Sequence, residues 1–336
     1  MYHDVTPQGG EDESGFPGCD AARYKLVRER FDDHVRAMRS VGAHAVTLVE
    51  QADLESDRPP LFLTFDDGGL SAVAIADRLE AESWRGHFFV TGAYIDREGF
   101  LSRAEIRDLR RRGHAIGSHS YSHPLRMANL APAQILTEWT CSIDILSDVL
   151  GESVVTASVP GGHYSQTVGR MAADAGIRFL FTSAPTFRVR RIGSLSVLGR
   201  YVVQRNARAA RVASVVAGAA GPRVRQLAWW ELKRIAKALS GDAYLRARDR
   251  LLGRSPHVRW GDEAVLEDPS QLRLQRARHG EPDAVGPRFR SPRPDPRPAA
   301  ARPRHWKPLL FASLAHGEPG ADANPRRMDV QHRYSL

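Results

Sequence analysis

The sequence predicts an α/β fold built on a parallel sheet or barrel. From residue 31 to about 183, helical and strand patterns alternate, and each strand candidate is a short apolar run bounded by Gly or polar residues. The predicted helix at residues 102–113 has clear ends, because Ser102 and Glu105 form a capping box and Gly113 stops the helix. The 336 residues, 42% of them hydrophobic, are enough for one substantial core with appended pieces.

The individual elements follow in chain order. We predict helices at residues 31–41, 70–83, 102–113, 132–151 and 165–175, with Pro132 and Gly151 marking the ends of the fourth. We predict strands at residues 44–49, 61–65, 87–91, 114–117, 154–159 and 178–182. Strands and helices that alternate in this way favour parallel strands joined by helical crossovers.

Beyond about residue 205 the pattern changes. Residues 223–239 place apolar side chains at helical spacing among Arg and Lys, with a Trp pair between them, which predicts a basic amphipathic helix. Two interpretations are open: the helix lies on an anionic membrane surface, or it packs its apolar stripe on the protein's own core. Pro and Arg dominate from residue 253 onward, which predicts disorder. We therefore expect a folded domain at 1–205, a helical extension at 206–252 and a disordered tail at 253–336.

The net charge of +9 raises the question of an anionic partner. Only four of the 48 basic residues are lysine, so the excess of Arg can reflect coding bias, and no nucleic-acid recognition module is apparent. Nucleic acid is therefore an unlikely partner. No apolar run is long enough to span a membrane, and no basic and apolar leader follows Met1. We expect a cytoplasmic protein that can lie at the inner face of the membrane, although residues 1–5 resemble the end of a strand and the chain could begin further upstream.

Three polar clusters follow the ends of predicted strands. They are the Asp66–Asp67 pair, the His119–His123 pair and the segment at residues 160–162, and the carboxyl ends of parallel strands share one face. Any one cluster alone could be an ordinary turn. Two imidazoles and one carboxylate suit a hydrolytic divalent metal, and a second carboxylate can take the proton from water. The residues alone do not say which aspartate has which role.

Two of these clusters resemble sequence motifs of a known family. Residues 64–68 (Thr-Phe-Asp-Asp-Gly) and 119–124 (His-Ser-Tyr-Ser-His-Pro) are similar to the first two motifs of the NodB-type polysaccharide deacetylases, carbohydrate esterase family 4. Residues 2–5 and 14–17 also resemble the amino-terminal part of such domains, so the resemblance covers about residues 1–205. It implies a distorted, incomplete (β/α) barrel.

The resemblance also implies roles for individual residues. Asp66 would be the general base, and Asp67, His119 and His123 would bind a divalent metal, with zinc as the expected ion. The implied activity is hydrolytic removal of N-acetyl groups from amino sugars of a polysaccharide or of its lipid-linked precursor. An N-acetylated glycan or glycolipid would then be the substrate.

The third motif of the family departs from the pattern. Ser158 stands where the family has an arginine that orients the base, and Gly161 stands where it has an aromatic residue. The Gly161 amide can still stabilise an oxyanion. Arg200 could supply the missing cation, but we favour the interpretation that it is an ordinary surface arginine.

The family's last motif, with its histidine general acid, is not recognisable. His163 is the best substitute because its loop faces the predicted site, and His3 is second. A rival hypothesis is a catalytically weakened glycan-binding or scaffold protein, which the substitution at Ser158 and the missing histidine favour. The uncoordinated carboxylate of Asp66 argues for the enzyme, because a binding site has no need of it.

Overall fold

A computed structural model describes residues 1–43, 46–56, 60–219, 221, 224–228 and 232. Seven strands form one sheet in the order β3-β4-β5-β6-β7-β9-β8, in which every neighbouring pair is parallel except the antiparallel β8 and β9. These strands are β3 (Thr64–Phe65), β4 (His87–Val90), β5 (Ala115–Ser118), β6 (Thr156–Ser158), β7 (Phe179–Phe181), β8 (Arg190–Ile192) and β9 (Leu195–Leu198). The sheet curls into a half-barrel, as expected for the predicted distorted barrel.

A second, two-stranded parallel sheet joins β1 (Val5–Thr6) to β2 (Leu26–Val27). Tyr2, three residues before β1, is tied to the main sheet, since its amide donates to the Thr64 carbonyl at 2.8 Å and the Asp66 amide donates to the Tyr2 carbonyl at 3.1 Å. The amino-terminal segment therefore lies beside β3, at the strand that leads into the aspartate pair.

Helices connect the strands and bury their apolar faces. They are α1 (Cys19–Ala22), α2 (Arg28–Ser40), α3 (Ala72–Glu80), α4 (Arg103–Arg111), α5 (Pro132–Leu150), α6 (Gln166–Asp174) and α7 (Ala209–Val216). The predicted capping box is present, because Ser102 Oγ accepts from the Glu105 amide and a Glu105 oxygen accepts from the Ser102 amide. Gly151 ends α5 in a left-handed conformation (φ 70°), which glycine adopts without steric cost.

The structure differs from the predicted strands of the main sheet in two places. The predicted strand at 44–49 begins at residues outside the described part of the chain; Val46 makes one isolated bridge to Leu61, and Val49–Gln51 form a 3-10 turn. The hairpin of β8 and β9 turns at Gly193 (φ 58°). It was not predicted, because β8 has no alternating apolar pattern. In this hairpin β9 pairs with β7 and extends the sheet.

The carboxyl-terminal part of the described chain is helical. Helix α7 packs on α2, with Val212 in the core and the carbonyl of Ala207 at 2.9 Å from His34 Nε2. Most of the predicted amphipathic helix at 223–239 lies outside the described residues, although 224–228 are helical, and the predicted tail at 253–336 lies outside entirely. Among the described helices, none has both the length and the apolar character needed to cross a bilayer. The domain boundaries stay predictions.

Candidate active site

The aspartate pair leaves the carboxyl end of β3 in a strained turn. Asp66 and Asp67 are 4% and 7% exposed, and Asp67 has a φ of 79°. A non-glycine residue in this region costs about 1–3 kcal/mol, which the surrounding structure must compensate. Gly68 follows with a φ of 80°, and a Cβ at Gly68 would lie 3.0 Å from Val90 Cα. The turn therefore requires this glycine and directs the two carboxylates in different directions.

The histidine pair lies on the loop that follows β5. Ser120 (φ 64°) and His123 (φ 58°) also adopt left-handed backbone, and the His123 amide donates to Ser120 Oγ at 3.1 Å. Buried Glu138 of α5 stabilises the loop, because its carboxylate accepts hydrogen bonds from the amides of Tyr121 and Ser122 at 3.0 and 2.8 Å. Charge-assisted bonds of this kind are roughly twice as strong as neutral ones, so Glu138 holds the loop in its strained shape.

The segment after β1 packs against the same loop. The Phe16 ring lies 4.6 Å from the His123 ring and also contacts the rings of Tyr94 and Phe100. The buried ammonium of Lys25 donates to three carbonyl oxygens of this segment, including that of Phe16 at 2.7 Å. Phe16 is therefore held in place against His123.

Asp67, His119 and His123 form a cluster with the geometry of a metal site. Their ligand atoms all lie within 4.8 Å of one another, and Asp67 Oδ1 is 3.3 Å from His119 Nε2 and 3.5 Å from His123 Nε2. Tetrahedral ligands about 2.0–2.1 Å from a zinc ion lie about 3.3 Å apart. The two distances from Asp67 are thus close to those expected between ligands of a small divalent ion.

The charges in this cluster reinforce one another. Burial would raise the pKa of Asp67, but the rings of His3, His119 and His123 outweigh it and hold that pKa well below its ordinary value. Burial would lower the pKa of His119, but Asp66 and Asp67 outweigh it and raise that pKa. Asp67 is therefore ionised, as a metal ligand must be.

Asp66 stands apart from the cluster and is paired with Arg200. Arg200 Nη1 donates to Asp66 Oδ1 at 2.7 Å and Nη2 to Asp66 Oδ2 at 2.8 Å. Arg200 is only 5% exposed, so the interpretation of Arg200 as a surface residue was wrong. Burial would raise the pKa of Asp66, but the Arg200 charge and then His119 outweigh it and lower that pKa. Asp66 is therefore an oriented, ionised carboxylate.

The third predicted cluster lies after β6. Ser158, the last residue of that strand, contacts both Asp66 and His119 through Oγ. Gly161 follows with a φ of 60°, and a Cβ there would lie 2.9 Å from the Leu125 carbonyl, which explains the glycine. His163 is half-buried at the end of the same 3-10 turn. The proposed roles of Gly161 and His163 stay predictions.

His3 lies beside the aspartate pair. Its Nδ1 is buried and, among the described residues, has no hydrogen-bond partner, and its ring packs on Tyr24 at 4.9 Å. Burial lowers the pKa of His3, against the opposing attraction of Asp67 and Asp66. His3 and Asp66 also line the same small cavity.

Some of these contacts have a signal in the sequence and others have none. Glu138 interrupts the apolar stripe of α5 between buried Ile135 and Trp139, and a carboxylate in a buried stripe indicates a specific partner. The contact of Phe16 with His123 has no such signal, because it depends on how a loop folds back across the sheet edge.

Comparison with known proteins agrees with the geometry. Residues 53–180, which include both motifs and Ser158, match the family profile described as polysaccharide deacetylase. An uncharacterised 30.6 kDa protein of Geobacillus stearothermophilus is 28% identical over 132 residues, covering 38% of this chain and 48% of that protein. The peptidoglycan-N-acetylmuramic acid deacetylase PdaC of Bacillus subtilis is 27% identical over 160 residues, covering 45% of this chain and 33% of PdaC.

Solved structures share the fold. A polysaccharide deacetylase from Bacillus cereus aligns with a TM-score of 0.54 and 19% identity, covering 64% of this chain and 67% of that one. IcaB from Ammonifex degensii aligns with a TM-score of 0.51 and 22% identity, covering 61% and 94% of the two chains. The family profile, the curated relatives and the curled sheet agree: residues 53–180 match the polysaccharide deacetylase profile, and the chain resembles the NodB-type deacetylases of carbohydrate esterase family 4.

Proposed function

We propose that this protein is a metal-dependent hydrolase that removes N-acetyl groups from amino sugars of a polysaccharide or of its lipid-linked precursor. The observation that carries the proposal is the division of the aspartate pair. Asp67 joins two histidines in a metal-sized cluster, while Asp66 is turned away and held by Arg200. A hydrolase needs both a ligand set and a separate base.

The hydrogen bonds of Asp66 indicate which of its oxygens takes the proton. Oδ1 accepts from both Arg200 and Ser158, so its two lone pairs are engaged. Oδ2 accepts from Arg200 alone among the described contacts, which leaves one acceptor position. Oδ2 is therefore the atom that would accept a proton from the attacking water.

Asp67, His119 and His123 would hold the ion, and zinc suits two imidazoles and a carboxylate. When bound there, a divalent ion supplies Lewis acidity, which lowers the pKa of water and polarises an acyl oxygen. Gly161 is exposed at the rim, and its amide is the candidate donor to the oxyanion.

The departing nitrogen needs a proton, and His3 is better supported than His163 as its source. His3 and Asp66 line the same small cavity, and both aspartates attract the His3 ring electrostatically. A proton taken up by Asp66 Oδ2 could pass to neutral His3 and from there to nitrogen. His3→Gln should lower kcat more than His163→Gln; the reverse order would assign the role to His163.

The names of curated relatives support the proposed substrate class. The names of two relatives include peptidoglycan-N-acetylmuramic acid deacetylase and chitin deacetylase, and both substrates carry N-acetylated sugars. The test is acetate release from a panel of N-acetylated oligosaccharides and glycolipids, measured after chelation and again after each metal is restored. No release from any substrate with any divalent metal would overturn the proposal.

The alternative is a catalytically weakened glycan-binding member of the same fold. Ser158 in place of arginine is the observation that favours it. Arg200 weighs against it, because a bidentate guanidinium replaces the missing cation at the base. Glycan binding measured without any turnover in the metal-loaded protein would favour this alternative.

We also propose a cytoplasmic location, with the basic segment at residues 223–239 in contact with the inner membrane surface. A Trp pair and an aliphatic stripe among basic residues suit an anionic interface. Binding to anionic vesicles that is lost in Trp229→Ala/Trp230→Ala would support the contact. A full chain that stays in the supernatant at low salt would assign the segment to the fold.

A further inference from the structure

Ser158 lies between the two halves of the site. It is fully buried at the end of β6, and its Oγ is 2.6 Å from His119 Nδ1 and 3.2 Å from Asp66 Oδ1. Its backbone carbonyl oxygen also lies 3.1 Å from the same ring nitrogen. One residue therefore contacts the candidate base and a candidate metal ligand.

The direction of these hydrogen bonds follows from what each atom can donate. The ionised Asp66 carboxylate only accepts, so the single proton of the Ser158 hydroxyl is donated to Asp66. The Ser158 Oγ is then left as an acceptor toward His119, and the Ser158 carbonyl oxygen can act only as an acceptor. Both contacts require a proton on His119 Nδ1.

A neutral imidazole with its proton on Nδ1 has its lone pair on Nε2. In this structure Nε2 is the atom that faces Asp67 Oδ1, at 3.3 Å. The other tautomer could donate from Nε2 to the single acceptor Asp67 Oδ1, but it would leave two acceptors of Ser158 facing an unprotonated Nδ1. The surroundings of Nδ1 thus select the tautomer that can bind a metal.

We infer that Ser158 is a positioning residue that fixes the Nδ1–H tautomer of His119 and couples this ligand to Asp66. The inference rests on the proposed metal site. It gives the serine a function of its own, while Arg200 supplies the charge that an arginine at this position would provide. The partner of the free nitrogen of a metal-binding histidine commonly sets the orientation of the ring.

The tautomer can be measured directly in the metal-free protein. Above the pKa of His119, nitrogen-15 NMR of histidine-labelled protein, assigned with His119→Gln, should show Nδ1 protonated. Ser158→Ala removes one of the two acceptors, so a fraction of the Nε2–H form should appear. Ser158→Thr keeps the hydroxyl and should keep the single tautomer, which separates the hydrogen bond from a loss of packing.

Zinc affinity, measured by chelator competition, provides the second readout. Ser158→Ala should weaken zinc binding about tenfold or more, and Ser158→Thr should stay near the parent value. Ser196→Ala is the matched control, since Ser196 is equally buried on β9 but bonds Arg191. An unchanged tautomer together with unchanged zinc affinity in Ser158→Ala would overturn the inference.

The two proposals fail in different ways. If the parent protein binds zinc but releases no acetate, the proposed function fails while the tautomer and affinity results still decide the role of Ser158. If Ser158→Ala does not fold, Ser158→Cys replaces the hydroxyl by a weaker donor and acceptor. It should then show the same tautomer mixture, and a single Nδ1–H form in that variant would contradict the inference.

Discussion

Arg200 holds Asp66 through two parallel hydrogen bonds, although 134 residues separate them in the chain. Neither side chain is appreciably exposed, so each charge is stabilised by the other and not by water. A buried pair of this kind adds little net stability compared with an apolar pair, but losing one partner leaves the other charge buried and unpaired. The pair is therefore better explained by orientation of the base than by stability.

Arg200→Met should lower kcat by about 100-fold or more, because Asp66 loses its orientation. The free energy of unfolding should fall by about 3–5 kcal/mol. Without the guanidinium the pKa of Asp66 rises. Since Asp66 acts in its ionised form, the acid limb of the kcat/KM profile should then move to higher pH.

Arg200→Lys is the matched variant for this experiment. It keeps the positive charge but cannot reproduce the two-point geometry, so kcat should fall while the acid limb moves less than in Arg200→Met. An acid limb in the same place in all three proteins would show that Asp66 is not the group that titrates.

The four site side chains should separate into two classes when they are replaced. Asp67→Asn, His119→Ala and His123→Ala should each lower the bound metal, because each removes one of three protein ligands. Asp66→Asn should retain the metal and lose turnover, because the base does not hold the ion.

Elemental analysis of the purified variants checks this separation. Equal metal loss in all four variants would contradict the division of roles, and full activity in Asp66→Asn would contradict the mechanism.

The parts of the site that were predictable from sequence are those with local signals. Asp67 and His119 follow strands whose apolar runs are visible, and parallel strands bring their carboxyl ends together. Ser102 and Gly113 mark a helix for the same local reason. Arg200 could not be assigned, because its position depends on the unpredicted hairpin of β8 and β9, which sets where the chain leaves the sheet.

Glu138→Gln should loosen the histidine loop. A carboxylate accepts from two amides and from the Ser122 hydroxyl, whereas an amide side chain presents one oxygen and an NH2 group to the same donors. We expect a loss of about 1–3 kcal/mol in the free energy of unfolding and weaker metal binding. Asp144→Asn, at an exposed position on the same helix, removes a charge without touching the loop and should change neither quantity. Equal effects of the two substitutions on zinc affinity would show that Glu138 does not support the metal-binding loop.

The stability of the protein should fall as the pH is lowered from about 6.5 toward 4. His87 is buried as a neutral ring that donates from Nδ1 to the Leu63 carbonyl and accepts from the Val49 amide at Nε2, and burial lowers its pKa to about 4. The unfolded chain binds a proton at His87 near pH 6.5 and the folded chain only near pH 4. Stability is therefore complete above 6.5 and is lost at up to about 1.4 kcal/mol for each pH unit between those values.

His87→Gln keeps an acceptor for the Val49 amide but does not titrate. In urea titrations from pH 4 to 8, the variant should lose stability less steeply with acidification than the parent. At pH 8 the His87 ring of the parent is neutral in both the folded and the unfolded state. The difference in unfolding free energy between parent and variant at that pH therefore reports the change in packing alone. His34 and His114 are buried, and their pKa values are also lowered by burial, so some slope should remain in the variant. If protonation of His87 destabilises the fold, removing its titration must flatten the curve of unfolding free energy against pH. Parallel curves for the two proteins would therefore show that His87 is not the responsible group.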